Sequence, residues 1–123
     1  MTGFADWDAV VAHALSLEGT VLSTSYGKPA VKVAANGRSF LAVGHEPESS
    51  FVLQVDLDTV EMLMATEPET YRQTPHYQGW PAVLVRFGPS DPERVAAMIA
   101  LARDQAATRK PARPKGKRQR AGG

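Results

Sequence analysis

The sequence predicts a two-layer α+β sandwich, an antiparallel sheet of about five strands with helices covering one face. Three observations lead there. Short segments rich in β-branched residues follow one another closely between residues 20 and 55, and short links between successive strands imply antiparallel neighbours. Apolar residues recur at helical spacing near the start, the middle and the end of the chain, each pattern giving one buried stripe. At 123 residues the chain is the size of one domain and can bury a core without metals or disulfides. The expected order is α-β-β-β-β-α-β-α.

The first helix is expected from Asp6 to about Leu17. Trp7, Val10, Val11, Ala14 and Leu15 recur at i, i+3, i+4, i+7 and i+8, with Asp6 as N-cap and Gly19 as the stop. Thr20 to Ser25 reads as a strand, followed by a break over Gly27–Pro29. Ala30 to Ala34 then alternates, Val31 and Val33 on one side and Lys32 on the other. Asn36-Gly37 signals a hairpin because both residues tolerate φ > 0, and Arg38 to Val43 returns as the partner strand. After the polar loop Glu46–Ser50, Phe51 to Val55 forms a fourth strand with Phe51, Leu53 and Val55 inward and Gln54 outward.

A second helix is expected to begin near Asp58. Asp58 and Glu61 have capping-box spacing, and Leu57 can staple onto Met62. Val60, Leu63 and Met64 form its apolar face, Pro68 marks its end, and Tyr71 falls in a short turn. Ala82 to Phe87 is nearly all apolar and reads as a central strand. Asp91 caps the last helix with Pro92 at its first position. Val95, Met98, Ile99 and Ala102 face the core, and the helix frays after Ala107.

Charge divides the chain. Residues 108–123, TRKPARPKGKRQRAGG, hold seven of the 14 basic residues (Arg109, Lys110, Arg113, Lys115, Lys117, Arg118 and Arg120) and no acid. Residues 1–107 therefore carry the other seven basic and all 13 acidic residues, a net of −6. The tail has no apolar side chain larger than alanine, so it is expected to be disordered beyond a folded domain of residues 1–107. Seven cations on a flexible arm attract phosphate polyanions without reading sequence. The same composition also serves a solubilising tail, and lipid is the weaker partner because the arm lacks an apolar face. Lys32, Arg38 and Arg86 on expected strands, with Lys28 in the adjoining turn, could gather cations on the open face of the sheet; scattered, the same residues keep an exposed sheet face soluble.

Chemistry-bearing motifs are sparse. Cysteine is absent, which excludes disulfides, thiolate catalysis and Cys-zinc sites. It also fits a reducing cytoplasm. The N-terminus is acidic and lacks the basic region of a secretory signal, and the longest apolar run, Val95 to Ala102, is too short to cross a bilayer. His13, His45 and His76 lack metal-ligand spacing, and no phosphate loop or nucleophile elbow occurs. Asp56/Asp58 and Glu67/Glu69 flank helix ends, where capping accounts for them. Neither a metal nor a cofactor is expected, and no catalytic residue is assigned.

The densest patch is TPHYQGWP, Thr74 to Pro81. Pro75 and Gly79 shape a tight connection, and Pro81 opens the following strand without needing its N–H. Tyr77 and Trp80 serve either as anchors packed on the sheet edge or helix ends, or as exposed faces that stack a base or a partner side chain. His76 is the member expected at the surface.

The ordered set TSYGKPAVKV (24–33), NGRSFLAV (36–43) and TPHYQGWPAVLVRF (74–87) resembles the MmcQ/YjbR-like family, over about residues 7–102. Val31 stands where that pattern leads one to expect phenylalanine. The resemblance implies a compact fold akin to the frataxin (CyaY-like) and secretion-chaperone folds, and a DNA-binding role with a double-wing arrangement. It carries over no catalytic residue. The expected protein is thus a non-enzymatic binder of DNA or RNA, with a protein- or small-ligand-binding module as the alternative and no membrane partner.

Overall fold

The computed structural model describes residues 4–110 except Tyr26, His45 and His76. The elements are α1 (Trp7–Leu15), β1 (Thr20–Ser25), β2 (Lys28–Val33), β3 (Ser39–Ala42), β4 (Ser50–Leu53), α2 (Leu57–Thr66), β5 (Tyr71–Arg72), β6 (Val83–Arg86) and α3 (Pro92–Ala107). The strands form one antiparallel sheet in the order β1-β2-β3-β4-β6-β5. There are six strands rather than about five. The added one is β5, where Tyr71 pairs with Val85 and Arg72 with Leu84 in place of the expected turn. Two residues cannot display a period of two; their extended backbone is set by the neighbouring strand. The order is therefore α-β-β-β-β-α-β-β-α, and β6 is interior, between β4 and β5.

All three helices lie on one face. Val10, Val60, Leu63, Val95 and Ile99 pack with Val31, Phe51, Leu53, Val83 and Val85 in a single core, each 0 % exposed. Phe40 and Leu41 are sequence neighbours, yet both are fully buried in it. The register explains this. Val31 pairs with Leu41 and Lys32 with Ser39, leaving Phe40 as the extra residue of a bulge, and a bulge re-aims a side chain. The apolar stripe of α1 is narrower than its spacing predicts, because Leu15 is exposed.

The caps show which local readings survive packing. Asp6 accepts from Ala9 N at 2.9 Å and Asp91 from Arg94 N at 3.1 Å, as their positions predict. The α2 cap is Asp56 rather than Asp58. Its carboxylate accepts from Thr59 N (3.0 Å), Thr59 Oγ1 (2.6 Å) and Gln105 Nε2 of α3 (2.5 Å). The Thr59 hydroxyl, followed by Gln105, holds the Asp56 carboxyl below its ordinary pKa. Met62 is not stapled under Leu57; it is exposed and its sulfur meets Arg94 Nη2. Arg94 also pairs at 3.1 Å with the buried Glu67, which accepts from Thr70 Oγ1 at 2.8 Å, and this cluster ties α2 to α3.

The Asn-Gly hairpin turns through four residues, 34–37, closed by Gly37 N to Val33 O and Val33 N to Arg38 O, both 2.8 Å. Only Gly37 uses a positive φ (72°). Asn36 instead directs its amide Nδ2 at the carbonyls of Ala106 (2.8 Å) and Arg109 (3.2 Å), tying the turn to the end of α3. Arg38 Nε reaches the Lys110 carbonyl at 2.7 Å. Residues 108–110, counted above with the tail, are thus tied to the hairpin, while the remainder of the expected disordered tail, 111–123, lies outside the described residues. Among the described residues no helix is long and apolar enough to cross a membrane.

Candidate functional site

The sheet face away from the helices carries the charge. Strict alternation puts Val31 and Val33 on the helix side, so Lys28, Ala30 and Lys32 face the other way. Directly paired residues share a face, and the register draws one row across all six strands: Ser23, Ala30, Ala42, Val52, Leu84 and Arg72. Arg86, two residues beyond Leu84, shares that face beside Ser50. Among the described residues Lys28, Lys32, Arg72 and Arg86 are the four charged residues borne by strands, and none of these strands holds an acid. Glu46 of the β3–β4 loop pairs with Arg72. Among the described residues Lys28, Lys32, Arg86 and Arg109 make no ion pair.

A groove of about 610 Å³ opens on this face. Its floor is small and apolar, Ala42, Gly44 and Val52. Ser25 and Lys28 stand on one side, and Tyr77, Trp80, Pro81 and Ala82 on the other. Val43, Gln54 and Arg109 complete the lining, which contains no carboxylate. Gly44 permits the close approach on which the floor depends, since a Cβ there would sit 2.6 Å from Val52 Cγ2. Lys28 is the first residue of β2, opposite Ser25, not a turn residue. Its ammonium lies 3.4 Å from the Gly44 carbonyl.

The aromatic wall is built by the loop before β6. Successive turns close Tyr77 N on Thr74 O (2.9 Å) and Trp80 N on Tyr77 O (2.8 Å), with Gly79 at φ 80°. The Gln73 amide then clamps the neck, donating to the carbonyls of Trp80 (2.9 Å) and Ala82 (2.7 Å). The two rings take different roles. Tyr77 packs on Val52, Ala82 and Leu84, a second apolar cluster on the open face, and burial raises its hydroxyl pKa. Trp80 is 64 % exposed. Neither packs on the sheet edge or helix ends expected of anchors, and Pro81 precedes the strand by two residues rather than opening it.

Of the residues singled out from sequence, Lys28, Tyr77, Trp80 and Arg109 meet around one groove. Lys32 and Arg86 share the face but not the lining. Lys110 contributes its carbonyl to the hairpin contact. His76, Arg113, Lys115, Lys117, Arg118 and Arg120 lie outside the described residues. Ala42, Gly44, Val52, Gln54 and Gln73 were not singled out. Alternation along β4 already turns Val52 and Gln54 to the open face, whereas nothing local marks Gln73 as a clamp. Among the described residues no three His, Asp or Glu side chains gather as metal ligands.

Comparison with protein families places this geometry. The YjbR family model matches residues 15–105, well over half of the chain. The chain belongs to the YjbR family. No curated protein and no solved structure gives a significant match. The segment matched to the YjbR model includes every strand and the whole aromatic loop. It stops four residues short of Arg109, so the groove floor and its aromatic wall belong to the YjbR-matched region while Arg109 and the basic tail fall beyond it.

Proposed function

We propose that this YjbR protein binds nucleic acid without catalysing a reaction, gripping phosphates with the open sheet face and the basic C-terminal segment. One observation carries the reading: every charge on the strands is positive and all four cations share one face, in a body whose net charge is negative. That net charge would repel a polyanion at long range. At about 0.1 M salt, however, the Debye length is about 10 Å, close to the thickness of one helix layer. Acids on the helices are therefore largely screened from a ligand lying on the sheet, and the local cations decide contact. Lys28, Arg109 and Tyr77 offer the groove charge and hydrogen bonds suited to holding a phosphate.

Fluorescence anisotropy of a labelled duplex, titrated with full-length protein across a salt series, tests this. Changing Arg113, Lys115, Lys117, Arg118 and Arg120 together to Gln should flatten the slope of log K against log[salt] by roughly 4–5. The triple change Lys28→Gln, Lys32→Gln, Arg86→Gln should flatten it by roughly 2–3. If the unmodified protein leaves both the duplex and a single strand of equal length unbound at low salt, the proposal fails.

A further inference from the structure

We infer that the groove accepts one unstacked base of a single-stranded nucleic acid, with flanking phosphates on Lys28 and Arg109; this rests on the nucleic-acid reading above. Trp80 is the sole aromatic among the large exposed hydrophobic residues described, and it is displayed rather than loose. The Gln73 clamp and the Tyr77–Trp80 turn hold its backbone, so presenting the ring requires little further ordering. The floor opposite is flat and small because Ala42 and Gly44 replace bulk where the sheet passes beneath. At about 610 Å³ the space lies inside the roughly 300–1,000 Å³ range of clefts that enclose small planar ligands.

Charge selects among planar occupants. The lining holds two cations and no acid, complementary to a planar group that carries phosphate. Gln54 adds an amide with both donor and acceptor capacity, which any base edge can meet. A base stacked inside a duplex cannot enter a recess walled by Trp80 and the β1–β2 strands. A single strand presents its bases unpaired, and ring-on-ring stacking is indifferent to base identity. The expected behaviour is preference for single strands with little sequence selectivity.

Titrating the full-length protein with a twelve-residue oligothymidylate and with a duplex of equal length decides the matter, read by tryptophan emission and by anisotropy. The single strand should bind more tightly and quench emission. Trp80→Ala should remove most of the quench, weaken single-strand binding about tenfold and collapse the preference over duplex, while the remaining Trp7 emission reports that the variant is folded. Lys28→Gln should reduce the single-strand salt slope by about 0.7. Equal binding of both forms, untouched by Trp80→Ala, overturns the base site and leaves phosphate gripping intact. Thymidine monophosphate binding as tightly as the oligomer overturns it in favour of a small-molecule site. Binding of neither form removes the nucleic-acid reading itself.

Discussion

The two faces of the sheet are built from the same strands to opposite ends. On the helix side Phe51, Leu53, Val83 and Val85 are sealed completely. On the other side, one residue along each strand, the register aligns Ala30, Ala42 and Val52 between Lys28, Lys32 and Arg86. A strand alternates with period two, so a four-residue segment such as β4 contributes to both at once. The lesson is a division of labour: the larger core lies in the helix-side layer, while the open face keeps only the small cluster of Val52, Ala82 and Leu84 and leaves room for charge, a recess and an exposed indole.

The sharpest way to break that comparison is to remove bulk from each side. Phe51 is fully buried, its ring 5.9 Å from that of Phe87. Phe51→Ala should cost about 3–5 kcal/mol in urea denaturation, whereas Lys32→Gln on the open face should change stability by less than about 0.5 kcal/mol. Comparable losses would mean that the two faces do not divide the work.

Gly44 tests whether the open face is entirely permissive. The Cβ of Gly44→Ala must displace Val52 Cγ2 from 2.6 Å, and Val52 is a stiff β-branched residue. The expected cost is about 1–3 kcal/mol, with weaker single-strand binding because the floor is raised. A neutral substitution would show that Val52 yields easily and that the recess is not sterically defined at that point.

A small effect at neutral pH is expected at Tyr71 on the helix side. Its ring lies under the Arg94 guanidinium at 5.8 Å, and its hydroxyl is buried without a hydrogen-bond partner among the described residues. Burial, reinforced by the Glu67 charge, pushes its pKa from 10.0 to about 12. The folded state therefore holds this proton more tightly than the unfolded state. The stabilisation is complete below pH 10 and is lost as pH rises from about 10 to 12. Melting temperature should fall across that window more steeply in the parent than in Tyr71→Phe. At pH 7 the variant should lie within about 1 kcal/mol of the parent, since no hydrogen bond is lost.

How legible each part was depends on where its cause lies. The Asp91-Pro92 start of α3 was readable because a cap involves residues three apart on one strand of chain. The α2 cap was misplaced by two residues because Asp56 and Asp58 are alike locally. Gln105, 49 residues away, bonds to Asp56. Tyr71–Arg72 showed no pattern because its pairing partner supplies its conformation. The open-face cations were visible as residues on strands, while their gathering on one face needed the pairing of β4 with β6 across α2 and β5.

The same boundary runs through the candidate site. Sequence alone determined the two-layer class, the alternation that sends Lys32 away from Val31, and the separation of an acidic body from a basic end, since each follows from residue type and local spacing. It left Tyr77 and Trp80 interchangeable, two large rings three residues apart. Tertiary structure decided that one is pressed onto Val52 while the other projects, and that Arg109 joins them in lining one recess. The reason is physical: period and propensity are properties of a segment, whereas a groove exists only where distant segments leave room between them.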